Sequence, residues 1–163
     1  MAEPPFVRLA GVPAALFLES QNHQHDVIRE LALIEIGGHF HENAQPHERV
    51  GTLISEILHQ YSEVRATTRH QALRAVASGA SVVTLTVPIE HGMVAALRRW
   101  LELVEEADAL CQEGAFLTLP TSAGVRTLRR WYVDAIADAV DEGPGAARTF
   151  PHSGEEVEHS ADS

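Results

Sequence analysis

Side chains that could do chemistry gather in the stretch Ser20–Ile34, SQNHQHDVIRELALI, which we predict to be the second half of a long helix. Polar residues occupy its beginning, where a buried helix would be apolar, and core-seeking residues occupy its end. An imidazole beside a carboxylate can act as a nucleophile or a base when the acid orients the ring. We therefore define a candidate functional notch on this helix, formed by Asn22, His23, His25, Asp26 and Arg29.

Part of this notch, the run HDVIREL at 25–31, resembles the phospho-accepting box of histidine-kinase dimerisation domains. The resemblance implies phosphotransfer in which His25 accepts the phosphate, Asp26 orients the ring and Arg29 contacts the phosphate. That chemistry requires His25 to be exposed on a helical hairpin. The residues alone also fit a polar notch that faces solvent or a partner helix.

The ten histidines of the chain raise the question of a metal site, but their spacing does not favour one. A helical metal pair uses positions three or four residues apart, whereas His23 and His25 are two apart and point to different faces. His39, His41 and His47 fall in a polar loop without a cysteine, and we interpret them as solvated. We predict no metal ligands, no cofactor and no catalytic residue, because no GxSxG elbow, CxxC pair or nucleotide-binding glycine loop is present.

Arginines form a second candidate site, for contacts with an anion or a protein partner: Arg98, Arg99, Arg129 and Arg130. They stand in two LRRW segments whose tryptophans we expect in the core. Within each helix, Arg98 is expected to pair with Glu102, and Arg130 with Asp134, one turn away. Alternatively, adjacent helices bring the four guanidinium groups together and create the anion or acidic-partner site.

The LRRW segments belong to an internal repeat. Its first unit consists of TLTVP, Gly92 and LRRW. Its second unit follows after about the length of one helix and consists of LTLP, Gly124 and LRRW. Two successive strand–helix units predict a β-α-β crossover with parallel strands and side-by-side helices.

Hydrophobic periodicity and Gly/Pro punctuation predict an α-rich α+β fold with four main helices and a small sheet of two or three short strands. Helices 1 and 2 should form an antiparallel hairpin. Within helix 2, the polar run RATTRHQ at 65–71 should be either a kink or an exposed stretch. One domain over 6–142 should lie between a disordered lead, 1–5, and a disordered acidic tail, 143–163. The predicted elements are strands at 6–9, 81–87 and 116–119 and helices at about 13–36, 47–78, 90–112 and 122–141.

Composition limits the class of protein. The formal net charge of −11 makes a nucleic-acid partner unfavourable, because an acidic surface repels phosphate backbones. The single cysteine, Cys111, falls on an apolar helix stripe, and we interpret it as a buried hydrophobe. No signal peptide is apparent, and no apolar run approaches the ~20 residues that cross a bilayer. We therefore expect a cytoplasmic protein without a membrane partner.

Four segments resemble a group of uncharacterised actinobacterial helical proteins over roughly residues 6–140: VRLAGVPAALFLESQNHQHDVIRELALI, SVVTLTVP, EEADALCQEGAFLTLP and LRRWYVDAIADAV. Such proteins accompany ATP-binding anti-sigma regulators, anti-sigma antagonists and related phosphatases. The resemblance implies signalling, such as partner switching in a stress response, and supplies no catalytic residue.

Three hypotheses of function follow. The leading one is a non-enzymatic regulatory or adaptor protein that binds a signalling partner through its long amphipathic helices. The alternatives are histidine phosphotransfer through His25 and a small-ligand or metal sensor at the polar notch of helix 1. Long apolar helix faces on a chain of 163 residues also predict a homodimer.

Overall fold

The computed structural model describes residues 5–37, 45–114 and 117–152. Within these ranges five helices and three strands form a helix-rich α+β fold, which confirms the predicted class with one helix more than expected. In chain order the elements are β1 (Phe6–Pro13), α1 (Ala14–Gly37), α2 (Gln45–Gln60), α3 (Ser62–Ala77), β2 (Val82–Pro88), α4 (Met93–Gln112), α5 (Ala123–Glu142) and β3 (Ala147–Thr149). The predictions for residues 1–4, for the loop histidines His39 and His41, and for 153–163 lie outside the described residues, as does the side chain of His47.

The sheet is mixed and has the strand order β2-β1-β3. β1 pairs antiparallel with β2 and parallel with β3. A bulge interrupts the first pairing between Leu9 and Val12, where Gly11 adopts a φ of 67°. This left-handed conformation favours glycine, and an added Cβ would lie 3.3 Å from His152.

The predicted β-α-β crossover is wrong, because the described residues of the second strand–proline segment, 117–120, form no strand. Leu117 to Pro120 follow α4 outside the sheet, and the side chains of Leu117 and Leu119 are exposed. Phe116 lies outside the described residues. The repeat is nevertheless reflected in its helices, since α4 and α5 pack against each other.

The predicted disorder after Gly143 is wrong for the residues that complete the sheet. Arg8, Leu9 and Ala10 pair with Ala147–Thr149, so this short strand occupies the second edge of β1. Phe150 is buried, and its ring meets Trp131 edge-on with centroids 5.1 Å apart. One buried aromatic residue and a strand-to-strand contact hold this segment, and neither gives a periodic sequence pattern.

The long helix predicted over 47–78 is divided at Tyr61, where ψ is 30°. The polar run 65–71 is neither kinked nor fully exposed, because it lies inside α3 and contacts other elements. Thr68 is buried and donates to the Val64 carbonyl, and Arg69 donates to the side-chain oxygens of Gln21 and Asn22 in α1. Polar groups on two helices thus satisfy one another where the sequence suggests solvent.

Gln71, on the same helix, covers the free edge of β2. Its amide oxygen accepts from Thr86 N at 2.8 Å and its amide nitrogen donates to Thr86 O at 3.2 Å. The side-chain amide therefore replaces the neighbouring strand that an exposed edge would otherwise attract.

Two hydrophobic clusters form the core. The first joins the sheet to α1, α3, α4 and α5 around Leu9, Leu85 and Ile136, and the second joins α1, α2, α4 and α5 around Val27, Ile54 and Leu103. α1 takes part in both clusters. Cys111 is buried in the second one, as predicted, and burial raises the pKa of its thiol to about 11. Within the described residues, no helix is both long and apolar enough to span a bilayer.

Candidate functional site

The polar middle of α1 divides into two faces because successive helical side chains are rotated by about 100°. Ser20, Gln21 and Gln24 point inward and are buried. Asn22, His23 and Asp26 point the other way and line an open groove. The polar residues of the stretch Ser20–Ile34 therefore lie partly in the protein interior and partly on the surface of the groove.

The inward face is held by hydrogen bonds to the other helices. Gln24 accepts from the Trp100 indole N–H at 2.9 Å, and Ser20 Oγ accepts from Arg129 Nε at 2.9 Å. Arg129 also donates to the Ser20 carbonyl at 3.1 Å. These contacts tie α1 to α4 and α5 inside the molecule, and Trp100 is buried as predicted.

The outward face forms one wall of what we call the α1 groove, which has a volume of about 910 Å³. Residues 117–121 and the start of α5 form the opposite wall, and α3 contributes Val76. Asn22, His23, Asp26 and Arg29 all line the groove. Four of the five predicted notch residues therefore meet in one concave surface.

Side chains, rather than strand pairing, fix residues 117–121 in place. The Glu30 carboxylate accepts from the backbone N–H of Leu117, from Thr118 N at 2.8 Å and from Thr118 Oγ1 at 2.5 Å. His23 Nε2 donates to the Leu119 carbonyl at 2.7 Å. The buried Asp108 of α4 accepts from Thr121 N at 2.6 Å and from its hydroxyl at 2.8 Å.

These anchors have shifted pKa values. Burial lowers the pKa of His23, and the positive charge of Arg129 adds to this effect, so the neutral imidazole is favoured against the opposing hydrogen bond to Leu119. For Glu30, partial burial acts to raise the pKa, but the hydrogen bonds from Thr118 and Leu117 outweigh it and lower the pKa. Glu30 thus keeps the ionised form that accepts these hydrogen bonds, whereas His23 can donate to Leu119 from either form of its ring.

The α1 groove collects exposed apolar side chains. Leu117 is 94% exposed, Leu119 is 78% exposed and Leu33 is 64% exposed, and all three line it together with the partly exposed Val76. Single exposed apolar residues are ordinary, but several on one concave surface are typical of an interaction site.

His25 is exposed, which phosphotransfer requires, but it lies off the α1 groove. Its proposed helpers bind each other instead, since Arg29 donates to Asp26 at 3.1 Å. The resemblance requires Asp26 to orient the His25 ring and Arg29 to contact the phosphate, but here these two side chains bind each other. This geometry does not favour the phosphotransfer alternative.

The four arginines do not form a common positive surface. Arg99 pairs with Glu102 in its own helix at 3.1 Å, whereas Arg129 is turned into the interior. The within-helix pairs predicted for Arg98 and Arg130 are wrong, because acids on the neighbouring helix lie closer. Across the α4–α5 contact, Arg98 lies 3.9 Å from Asp134 and Arg130 lies 2.7 Å from Glu105.

Sequence reasoning missed Glu30, Leu117 and Leu119 as groove residues. The partners of Glu30, Leu117 and Thr118, lie 87 and 88 residues further along the chain, so no local sequence pattern shows these contacts. The alternating leucines of FLTLP were a usable signal, but we interpreted their period as a strand instead of an exposed wall.

Within the part of the chain that the structure describes, no group of three or more His, Cys, Asp or Glu side chains is placed to hold a metal ion. Comparison with known proteins finds no matching family model, no matching curated protein and no matching solved structure. The resemblance to actinobacterial signalling proteins stays a prediction.

Proposed function

We propose that this chain is a non-enzymatic adaptor or regulatory protein that binds an amphipathic, basic segment of a partner protein in the α1 groove. The observation that carries the proposal is the convergence of Leu33, Leu117 and Leu119, all exposed, on one concave surface. An amphipathic helix laid into such a groove buries its apolar face against these leucines.

The polar residues of the groove support binding rather than catalysis. His23 and Glu30 are the side chains most suited to acid–base chemistry, and His23 Nε2 and both Glu30 carboxylate oxygens hold residues 117–119. A general base must reach a substrate proton, so a residue already committed to the backbone is a positioning group. The two side chains therefore support the wall on which Leu117 and Leu119 are displayed.

Charge decides which partner fits. Glu19 and Asp26 line the α1 groove, and Arg29, which also lines it, is paired with Asp26. The whole chain carries a formal charge of −11. A basic partner is attracted to this surface, whereas a second copy of the chain is repelled. The resemblance to the actinobacterial group makes a regulator of the anti-sigma class the first partner to test.

A peptide experiment tests the required chemistry. A labelled peptide with leucine at helical spacing and lysine elsewhere should bind the full chain, as followed by fluorescence anisotropy. Its scrambled form and its glutamate-for-lysine form should not bind. Combining Leu117→Ser with Leu119→Ser should weaken binding by at least about tenfold, because two buried leucine contacts are lost.

Leu73→Ser is the matched control, since Leu73 is 44% exposed on α3 and lies outside the α1 groove. Equal loss of affinity in the control and in the double variant would contradict the proposal. Equal binding of the acidic and basic peptides would contradict the charge argument.

A further inference from the structure

A second concave site lies on the inner side of α1, at the junction of all five helices. It is a cavity of about 90 Å³ with a mainly apolar wall. Phe17, Leu58, Leu97, Trp100 and Leu128 supply much of this wall. The inward residues Ser20, Gln21 and Gln24 of α1 form its polar side.

The charge of the lining differs from that of the rest of the molecule. Arg65 and Arg129 both line the cavity, and among the residues that the structure describes no Asp, Glu or His does so. Two guanidinium groups without a carboxylate are unexpected in a chain with a formal charge of −11. The cavity is therefore a local site of positive charge inside an acidic protein.

Of the two arginines, Arg129 gives the stronger indication of a binding site, because the residue is only 3% exposed. Buried charges are normally paired with an opposite charge. Arg129 donates to Ser20 Oγ and to the Ser20 carbonyl, both neutral acceptors, and within the described residues no carboxylate lies within 4 Å of it. Burial lowers its pKa to about 10, and Asp108 offsets only part of that effect. Asp108 itself bonds Thr121 and lies 3.6 Å from Arg126.

Tyr132 lies one turn beyond Arg129 on α5 and also lines the cavity. Burial raises the pKa of Tyr132, and among the described residues its hydroxyl has no hydrogen-bond partner. By contrast, Thr68 and Gln24 satisfy their polar groups within the protein. Arg129 and Tyr132 thus have donor capacity left for an acceptor that the described residues do not supply.

We propose that this cavity binds a compact apolar monocarboxylate, whose carboxylate accepts hydrogen bonds from Arg129 and Tyr132. The hydrocarbon part lies against Phe17, Leu97 and Trp100. A guanidinium group is suited to this role because its planar donors match a carboxylate. The class follows from the lining: an apolar body to fill the wall and one negative charge to pair the buried cation.

The volume limits the ligand to a small one. The space of about 90 Å³ is smaller than an engineered apolar cavity of about 150 Å³ that accepts benzene, so the ligand can be no larger than a short hydrocarbon chain or a single ring, and either one requires side chains of the wall to move. Hexanoate and benzoate are therefore suitable probes. Acetate lacks the apolar body, hexanol lacks the charge and hexylammonium reverses it.

Isothermal titration calorimetry of the full chain tests the proposal with these five compounds. Hexanoate or benzoate should bind saturably, and hexanol, hexylammonium and acetate should bind at least about tenfold more weakly. Trp100 lines the cavity, so a change of tryptophan fluorescence should follow the same titration curve. Equal binding of hexanol and hexanoate would overturn the role of Arg129, and absence of saturable binding by either acid would overturn the site.

Variants separate an anion contact from a structural clamp. Arg129→Met fills similar space without the charge and should abolish the preference for hexanoate over hexanol. The matched control is Arg130→Met, because Arg130 is the exposed neighbour of Arg129, and this variant should retain the preference. Tyr132→Phe removes one hydroxyl and should weaken hexanoate binding severalfold, which keeps the proposal testable if Arg129→Met does not fold. An unchanged preference in Arg129→Met, or unchanged hexanoate affinity in Tyr132→Phe, would overturn the proposal.

Discussion

His23 and Glu30 show at the residue scale how chemically capable side chains become structural anchors. Each bonds the backbone of residues 117–119, a segment that belongs to no strand. The neutral imidazole of His23 donates to Leu119, and the ionised carboxylate of Glu30 accepts from Thr118. The wall of the α1 groove therefore depends on the ionised state of Glu30, whereas the bond from His23 to Leu119 is available to both forms of the ring.

A pH dependence of stability follows from His23. Its folded pKa is lowered, so the unfolded chain takes up the proton first as pH falls through about 6.5. The contribution of His23 to stability is therefore present above this pH and is lost as pH falls towards its folded pKa. His23→Gln keeps an amide donor for Leu119 but does not titrate, so its unfolding free energy should fall less between about pH 7 and pH 5.

Urea unfolding at several pH values measures this difference. His25→Gln, at an exposed histidine two residues away, is the matched control. Parallel pH profiles for the wild-type chain and His23→Gln would contradict the assigned role. Glu30 adds its own loss of stability at lower pH, because its lowered pKa gives a contribution that disappears below about 4.5.

Residue-level prediction from sequence succeeded where burial follows helical period. Cys111 and Trp100 lie on the apolar stripe of α4, and both are buried as predicted. Arg129 shows the limit, because an arginine beside a tryptophan gives no local sign that it will enter the interior. Its position depends on a hydrogen bond to Ser20, a residue of α1 that lies 109 positions earlier in the chain.

At the scale of elements, β1, α1, β2, α4 and α5 were predicted because period, glycine and proline mark them locally. The strand expected at 116–119 needs a free sheet edge as well as the right residues. β1 has β2 on one side and β3 on the other, Gln71 covers the outer side of β2 at Thr86, and the outer edge of β3 is only three residues long. Competition for edges is a property of the assembled sheet, which no local pattern contains.

Gln71 gives a prediction at this scale. Gln71→Ala removes both hydrogen bonds to Thr86 and should lower the free energy of unfolding by about 1 kcal/mol, because a partly buried strand edge loses its partner. Denaturant unfolding measures the change. Gln60→Ala, at an exposed glutamine on α2, should change the free energy by less than about 0.5 kcal/mol. Equal effects of the two variants would contradict the edge-covering role.

Across the whole molecule, α1 separates an acidic, apolar-walled groove from a positively charged cavity. Asn22, His23, Asp26 and Arg29 reach the α1 groove together because they share one helical face, and this part of the site was predictable. The opposite wall comes from residues 117–121 and Val76, which only the folded chain brings near. The homodimer expected from the sequence stays a prediction, and the acidic charge of both copies opposes it at this surface.

Photo-crosslinking in the native cell tests the proposed function most directly. A photoreactive residue at position 119, within the α1 groove, should crosslink a partner through a segment that combines apolar residues with Lys or Arg. The same residue at position 73, exposed outside the groove, should not capture that partner. Capture of the same partner from both positions, or crosslinking of a second copy of this chain from position 119, would contradict the proposal.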